Sequence, residues 1–139
     1  MNYLKSFKLF ESLNIPTSEE LQKITQEVEN ILVGLKEEYL PYTVKSENFT
    51  VYDKSKKILT PIKVLPQISI RIGGSLGDPE YKFKIDDYIE ELYRIDDYLE
   101  SEDFTLRTFN YLHYDLDSAI KALSGREILG ITLYYKLKN

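Results

Sequence analysis

The stretch PTSEELQKITQEVENILVGLKEE, residues 16–38, is the clearest helix pattern in the chain. Thr17 and Glu20 have the spacing of a capping box, in which each side chain bonds a free backbone amide at the start of a helix. Pro41 should end the segment, because proline donates no backbone hydrogen bond and restricts the residue before it. Between these limits, apolar residues recur at helical spacing and predict one buried stripe about 100° wide: Leu21, Ile24, Val28, Ile31 and Leu35.

A second helix is predicted in KIDDYIEELYRIDDYLESED, residues 84–103. Strand patterns follow both helices, with YTVK (42–45) and QISIRI (67–72) in the first half and FTLR (104–107) and GITLYYKL (130–137) in the second. The element order is therefore α-β-β-α-β-β, which an internal duplication would explain. The apolar positions of the second helix support a duplication, since each lies 64 residues after its counterpart in the first: Ile85, Tyr88, Leu92, Ile95 and Leu99.

These elements predict an α+β domain with two helices on one face of a four-stranded, mostly antiparallel sheet. Two prolines in ILTPIKVLP, residues 58–66, indicate an irregular or edge strand. A short helix in HYDLDSAIKALSGRE, residues 113–127, should be capped by Asp117 or Ser118 and ended by Gly125. The strand residues expected to face the helices are Ile68, Ile70, Ile72, Phe104, Leu106, Ile131, Leu133, Tyr135 and Leu137.

Length and composition limit the class of protein. The chain has 139 residues and no cysteine, so it has room for one domain and cannot form a disulfide or a thiolate metal site. No apolar run is long enough to span a bilayer, and the N-terminus lacks the pattern of a secretory signal. We therefore expect an N-terminal segment, residues 1–14, and a single α+β domain, residues 17–139, in a cytoplasmic or intracapsid setting.

No residue pattern indicates catalysis. His113 is the single histidine, and a triad or a metal site with Asp115 and Asp117 would depend on it alone. The segment GGSLGD, residues 73–78, lacks the Lys-Ser/Thr ending of a phosphate-binding loop and is interpreted as a connection. We expect no enzymatic activity, no catalytic residue, no cofactor and no bound metal.

Acidic residues are concentrated in one part of the chain. Residues 78–103 hold eleven acidic and three basic residues, a local balance of −8 in a chain whose net charge is −5. Such carboxylates normally stay solvated on a helix surface, but a dense acidic face can also mimic the phosphates of DNA. An acidic DNA-mimic inhibitor of a host protein is therefore one alternative function. Asp96 differs from the others, because it falls within the apolar arc and needs a partner if it is buried.

The predicted strands also place basic residues together. If their apolar residues point toward the helices, period-two alternation puts the neighbouring residues on the opposite face. Each strand then contributes one basic residue, and a face of this kind with an aromatic ring can bind single-stranded nucleic acid through charge and base stacking. The other interpretation is a solvated sheet face or a protein contact. The residues are Lys45, Arg71, Arg107, Tyr134 and Lys136.

Residues 5–14, KSFKLFESLN, resemble the capsid-targeting segments at the N-termini of internal head proteins of T-even-type tailed phages. In those segments a lysine, a Ser or Thr and an aromatic residue lead into a short amphipathic stretch ending in Glu, and the maturation protease cuts after a Leu/Ile-x-Glu triplet. Leu9-Phe10-Glu11 would be that triplet, so the resemblance implies cleavage after Glu11. Alternatively, the segment is an arm docked on the core, since phenylalanines are costly to leave in water. The docking residues are Phe7, Leu9, Phe10, Glu11 and Leu13.

The chain also resembles small uncharacterised tailed-phage proteins that open with such a segment. The resemblance implies a non-enzymatic phage accessory or virion-associated protein that acts through protein–protein contacts. Its partner would be a phage head component or a host protein, in the host cytoplasm or the virion interior, and no membrane partner is expected. Single-stranded nucleic-acid binding through the basic sheet face is the alternative function.

Overall fold

The computed structural model describes residues 15–34, 40–53, 55, 57–58, 60–74 and 82–138. The docking segment predicted in residues 1–14 lies outside these residues, as do Leu35 of the first helical stripe and most of the GGSLGD connection. Within the described ranges, no helix has the length and apolar character needed to cross a membrane.

The fold is α+β, as the sequence predicts. The described residues form a four-stranded antiparallel sheet of order β1-β2-β6-β4, a separate two-stranded sheet of β3 and β5, and three α-helices. The helices are α1 (Ser18–Leu32), α2 (Ile89–Ser101), which a 3-10 turn (Ile85–Tyr88) precedes, and α3 (Leu116–Leu123). The strands are β1 (Tyr42–Asp53), β2 (Thr60–Gly73), β3 (Phe83–Lys84), β4 (Phe104–Phe109), β5 (Glu127–Ile128) and β6 (Gly130–Leu137).

Helix α1 begins with the predicted capping box. The Thr17 hydroxyl accepts the Glu20 backbone N–H at 3.2 Å, and the Glu20 carboxylate accepts the Thr17 backbone N–H at 3.3 Å. The α-helix ends at Leu32, well before the predicted boundary at Pro41, and Gly34, a residue of poor helix propensity, follows closely. The buried residues of α1 are Ile24, Val28 and Leu32.

The core combines the second helical stripe with the predicted strand residues. All five apolar positions of the second stripe are buried, the first two in the 3-10 turn and the other three in α2. The nine strand residues expected inside are buried as well and belong to the same hydrophobic cluster. Helix α1 contacts β1 and α2, and α2 contacts β4, so the helices and the large sheet share this core.

Asp96 lies within the buried stripe of α2 and has the partner that its position requires. The hydroxyl of Tyr135, a fully buried side chain of β6, donates a hydrogen bond to Asp96 Oδ1 at 2.7 Å. Burial raises the pKa of Asp96 above its ordinary value, and the nearby carboxylates of Glu100, Asp97 and Asp117 raise it further. The bond from Tyr135 opposes these effects, because it favours the charged form of the carboxylate.

Strands β1 and β2 form a hairpin that is longer than the sequence predicts. They pair from Tyr42 and Ile72 to Asp53 and Thr60, whereas β6 pairs only with Gln67–Gly73 of β2. The rest of β2 therefore has β1 as its one strand partner among the described residues. Pro61 and Pro66 both lie in this one-sided part, where a missing backbone N–H is tolerated.

Helix α3 is capped by Asp115, so the prediction of Asp117 or Ser118 as the cap is wrong. The Asp115 carboxylate accepts the Ser118 backbone N–H at 2.8 Å and the Ser118 hydroxyl at 2.9 Å. An Asp-x-x-Ser spacing satisfies an amide at the helix start, with the cap two or three residues earlier than expected. Gly125 follows the helix with a φ of +77°, a backbone conformation that favours glycine, as the predicted end requires.

Candidate nucleic-acid interface

The basic residues predicted from strand alternation lie on one side of the four-stranded sheet, which we call the outer face and define by Lys45, Arg71 and Tyr134. Residues directly opposite on neighbouring strands share a face, and successive rows on that face are about 7 Å apart. The first row is Thr43, Arg71 and Thr132; the second is Lys45, Ser69 and Tyr134; the third is Glu47, Gln67 and Lys136.

The first two rows line a polar groove of about 180 Å³, which we call the groove. Lys45 projects there with a side chain that is 62% exposed, and its ammonium lies 4.0 Å from the Glu47 carboxylate. Arg71 is exposed and has no ion pair within the described part of the chain. The groove therefore offers Arg71 to a ligand beside the ring of Tyr134, together with Lys45, whose acidic neighbour Glu47 lines the same groove.

Arg107 lies on the outer face but does not project freely from it. Its guanidinium carbon is 4.6 Å from the centroid of the Phe49 ring and 5.6 Å from that of Tyr134. Since β1 and β4 are the two edges of the sheet, the side chains of Phe49 and Arg107 together reach across its width. Cation–π attraction stabilises this arrangement.

A bulge in β4 explains how Arg107 is directed. Leu106 pairs with Tyr135 and Thr108 pairs with Tyr134, so Arg107 is an extra residue without an opposite partner in β6. Strict alternation would put Phe109 on the outer face, but the extra residue restores it to the core, where it is fully buried. Strict period-two alternation of the strand does not predict this bulge.

Tyr134 contacts a second tyrosine that the sequence analysis missed. The hydroxyls of Tyr111 and Tyr134 share a hydrogen bond of 2.8 Å, and the ring centroids are 5.5 Å apart. This bond and partial burial raise the pKa of Tyr134. Tyr111 has a left-handed backbone with a φ of 61°, a rare conformation for a bulky residue. The ring is thus held beside Tyr134 against a backbone preference.

Three buried polar atoms near the third row have no hydrogen-bond partner among the described residues: Gln67 Oε1, Arg107 Nε and Thr108 Oγ1. The orientation of the Gln67 side-chain amide is set by its nitrogen, because Nε2 donates a hydrogen bond to Glu47 Oε1 at 3.1 Å. Gln67 is only 5% exposed. Ser69 of the second row is buried to a similar degree, at 6%, and Lys136, which pairs with Gln67, is partly buried and does not line the groove.

The residues considered for a metal site or a triad are engaged in local structure. Asp115 caps α3, and Asp117 accepts a hydrogen bond from the Tyr93 hydroxyl. The backbone carbonyl of His113 accepts the Phe109 N–H at 2.7 Å. Within the ranges that the structure describes, no group of three His, Cys, Asp or Glu residues is arranged to hold a metal ion.

We found no match to this chain among protein-family models, curated proteins or solved structures. Its function is therefore proposed from the geometry of the outer face.

Proposed function

We propose that the outer face binds single-stranded nucleic acid. The observation that carries this proposal is the groove, in which Lys45 and Arg71 flank the ring of Tyr134. Cations of this kind contact backbone phosphates, and exposed rings stack on unpaired bases. Tyr111, which is 64% exposed and shares a hydrogen bond with Tyr134, adds a second ring for stacking next to the groove.

For the outer face to be open, α1 and α2 must both lie on the other side of the sheet. The bond between Tyr135 and Asp96 of α2 supports this arrangement, because Tyr134 and Tyr135 are neighbours in β6 and neighbours in a strand point to opposite faces. The α-β-β duplication stays a prediction. Among the described residues the first half has no counterpart of helix α3, and its register shift lies between Val51 and Tyr52 rather than at the position that matches Arg107.

Charge favours a single strand over a duplex. The whole chain is acidic, with a net charge of −5, so nonspecific attraction to a duplex is weak over most of the surface. The groove holds two cations, Arg71 and the Glu47-paired Lys45, so it supplies few phosphate contacts, and stacking on the rings needs bases that are not already paired. We therefore expect modest affinity with a clear dependence on salt.

The test is a titration of labelled single-stranded DNA and RNA, followed by fluorescence anisotropy at two salt concentrations. The variant Lys45→Glu with Arg71→Glu should abolish most of the binding, because it reverses both cations of the groove. For the neutral variant Lys45→Gln with Arg71→Gln, the slope of log K against log salt should fall by about 1.4, since each phosphate contact on a single strand contributes about 0.7.

The matched control is Lys23→Glu with Arg94→Glu, which makes the same change in net charge on the exposed surfaces of α1 and α2. This control should bind like the unaltered chain. Equal losses in both double variants would mean that only the total charge matters. No measurable affinity at low salt would contradict the proposal outright.

A second proposal concerns protein contacts, as the N-terminal resemblance implies for a virion-associated or accessory phage protein. The observation that favours it is the projecting part of the β1–β2 hairpin, where Ile58, Ile62 and Val64 are 80%, 60% and 54% exposed. Neighbouring exposed apolar side chains often mark a protein contact. A phage head component or a host protein in the cytoplasm or the virion interior would be the partner.

This second proposal has two tests, which separate the docking segment from the hairpin. Deleting residues 2–14 should give a folded domain that no longer enters virus particles, as measured by mass spectrometry of purified virions. Replacing Ile62 and Val64 by serine should weaken a protein complex while leaving oligonucleotide binding unchanged. Normal packaging of the truncated chain would contradict the role of residues 1–14.

The acidic DNA-mimic function has less support from the geometry. A mimic needs free carboxylates over a wide surface, but several in the acidic segment are used internally. Asp86 accepts the Ser124 hydroxyl at 2.6 Å and the Gly125 N–H at 2.8 Å. Glu100 pairs with Lys138 at 2.7 Å, and Asp96 is bonded to Tyr135.

A further inference from the structure

A recess opens at the end of the groove, between the end of β2, the start of β6 and the turn after β4. Its volume is about 680 Å³, within the range of small-molecule sites. The walls are mostly apolar, from Ile128 and Leu129, with the Tyr111 ring and the Asn110 side chain at one end. Arg71 is the one charged residue among its described lining residues, and no carboxylate lines it there.

The recess and the groove are continuous. Arg71 and Thr132 line both of them, and the contact between Tyr111 in the recess and Tyr134 in the groove joins the two along another wall. A strand that crosses the groove would therefore reach the recess without leaving the protein surface, with Arg71 at the junction.

The turn that supplies Tyr111 is fixed in place. Asn110 donates its backbone N–H to the Thr132 carbonyl at 2.8 Å, and its side-chain oxygen accepts the Thr132 N–H at 2.7 Å. Asn110 and Tyr111 both have positive φ, at 53° and 61°. Unfavourable backbone conformations held by surrounding bonds occur at ligand sites more than elsewhere. The backbone that carries the Tyr111 ring is therefore held in place, and the ring itself is 64% exposed at the recess.

We infer that the recess takes one unpaired nucleobase of the strand bound in the groove, stacked on Tyr111, with Arg71 on the adjoining phosphate. The inference rests on the proposed function of the groove. Charge complementarity supports a nucleotide, because a flat apolar base matches the walls of Ile128 and Leu129 while the sole cation stands at the junction with the groove.

The probe is a short single-stranded oligonucleotide with one 2-aminopurine, a base whose fluorescence is quenched by stacking. Tyr111→Asn removes the ring and keeps a residue that tolerates the left-handed backbone. We expect the quenching to disappear and the affinity to fall about five- to 150-fold, which is the range for losing one stacked base. The control is Tyr114→Asn, at an exposed tyrosine of the same segment that does not line the recess.

A second pair of variants tests the recess without altering its ring. Ile128→Glu puts a negative charge in the recess and should reproduce the loss of quenching, whereas Ile58→Glu makes the same change on the exposed hairpin and should not. Unchanged quenching in Tyr111→Asn and Ile128→Glu, with binding still lost in Lys45→Glu with Arg71→Glu, would overturn this inference and leave the groove intact. Adenosine monophosphate that binds as tightly as the oligonucleotide would also overturn it, because the recess would then be an independent nucleotide site. No oligonucleotide binding at all would remove both proposals.

Discussion

The hydroxyl of Tyr135 donates a hydrogen bond to Asp96, and this bond joins the last strand to the second helix through the hydrophobic core. Asp96 is partly buried there, and the phenol gives its carboxylate a hydrogen-bond partner. The pair therefore controls how stability depends on both sequence and pH.

Tyr135→Phe should lower the free energy of unfolding by about 1.5–3 kcal/mol at neutral pH, since it removes a hydrogen bond to a charged group. Urea unfolding measures the change. Tyr134→Phe is the matched control in the same strand, because its hydroxyl bonds an exposed tyrosine on the outer face, and its effect should stay within about 0.5 kcal/mol. Equal effects of the two changes would contradict a special role for Asp96.

Asp96→Asn should stabilise the protein at neutral pH and leave it unchanged in acid. Burial and neighbouring carboxylates raise the pKa of Asp96 in the folded state. The stability that its protonated carboxyl contributes is therefore fully present below the ordinary pKa of 3.8 and is lost as the pH rises through the raised pKa. Asparagine carries no charge and can still accept the Tyr135 hydroxyl. The difference between the unfolding free energies of the two chains should grow as the pH rises through this range. A constant difference would be evidence against the raised pKa.

Arg107→Met and Phe49→Leu should show coupling in a double-mutant cycle of about 0.5–1 kcal/mol, because the guanidinium lies 4.6 Å from the ring centroid. Arg107→Lys should keep only part of this coupling energy, since an ammonium lacks the planar group that stacks on a ring. Additive effects of the two substitutions would mean that the contact does not stabilise the outer face.

Gly130→Ala should destabilise the protein by about 1–3 kcal/mol through overpacking. A β-carbon there would meet the Gly74 carbonyl oxygen at 2.6 Å and the Ile72 carbonyl oxygen at 3.2 Å, and backbone atoms cannot move aside cheaply. Gly34→Ala is the control, because a β-carbon at that position meets nothing within 4 Å. Thermal unfolding of both variants is the measurement, and similar midpoints would refute the steric explanation.

Thr17→Ala should cost about 1 kcal/mol of stability, because the first amides of α1 lose the hydroxyl that accepts one of them. Thr25→Ala in the same helix should be neutral or slightly stabilising, since alanine has the higher helix propensity and the Thr25 hydroxyl bonds only the local Gln22 carbonyl. Urea midpoints that move in the same direction would exclude a capping effect.

Local rules were sufficient where one pattern acted alone. The capping box at Thr17 depends on residues three apart, and the alternation that puts Lys45 and Arg71 on the outer face acts within each strand separately. The ring of Phe49 was missed because β1 was predicted to end at residue 45, although alternation continues through residues 47, 49 and 51. A longer period-two reading of SENFTVYD would have found it.

The position of Tyr111 could not be predicted in the same way. It depends on a positive φ that only the bonds between Asn110 and Thr132 make tolerable, and these residues are far apart in the sequence. The bulge at Arg107 is similar, because it follows from fitting Phe109 into a core built by other strands. Such details depend on packing between segments that are far apart in the sequence. No short sequence pattern shows which distant segments will pack together.

The two prolines of β2 have a consequence for how the protein behaves at high concentration. The part of β2 from Thr60 to Pro66 has one side unpaired among the described residues, and an exposed strand edge normally invites another chain to add to it. Pro61 and Pro66 remove two amide donors from this stretch, so a second molecule would find an interrupted ladder. The hairpin therefore exposes isoleucine and valine side chains on a strand whose prolines oppose the addition of further strands.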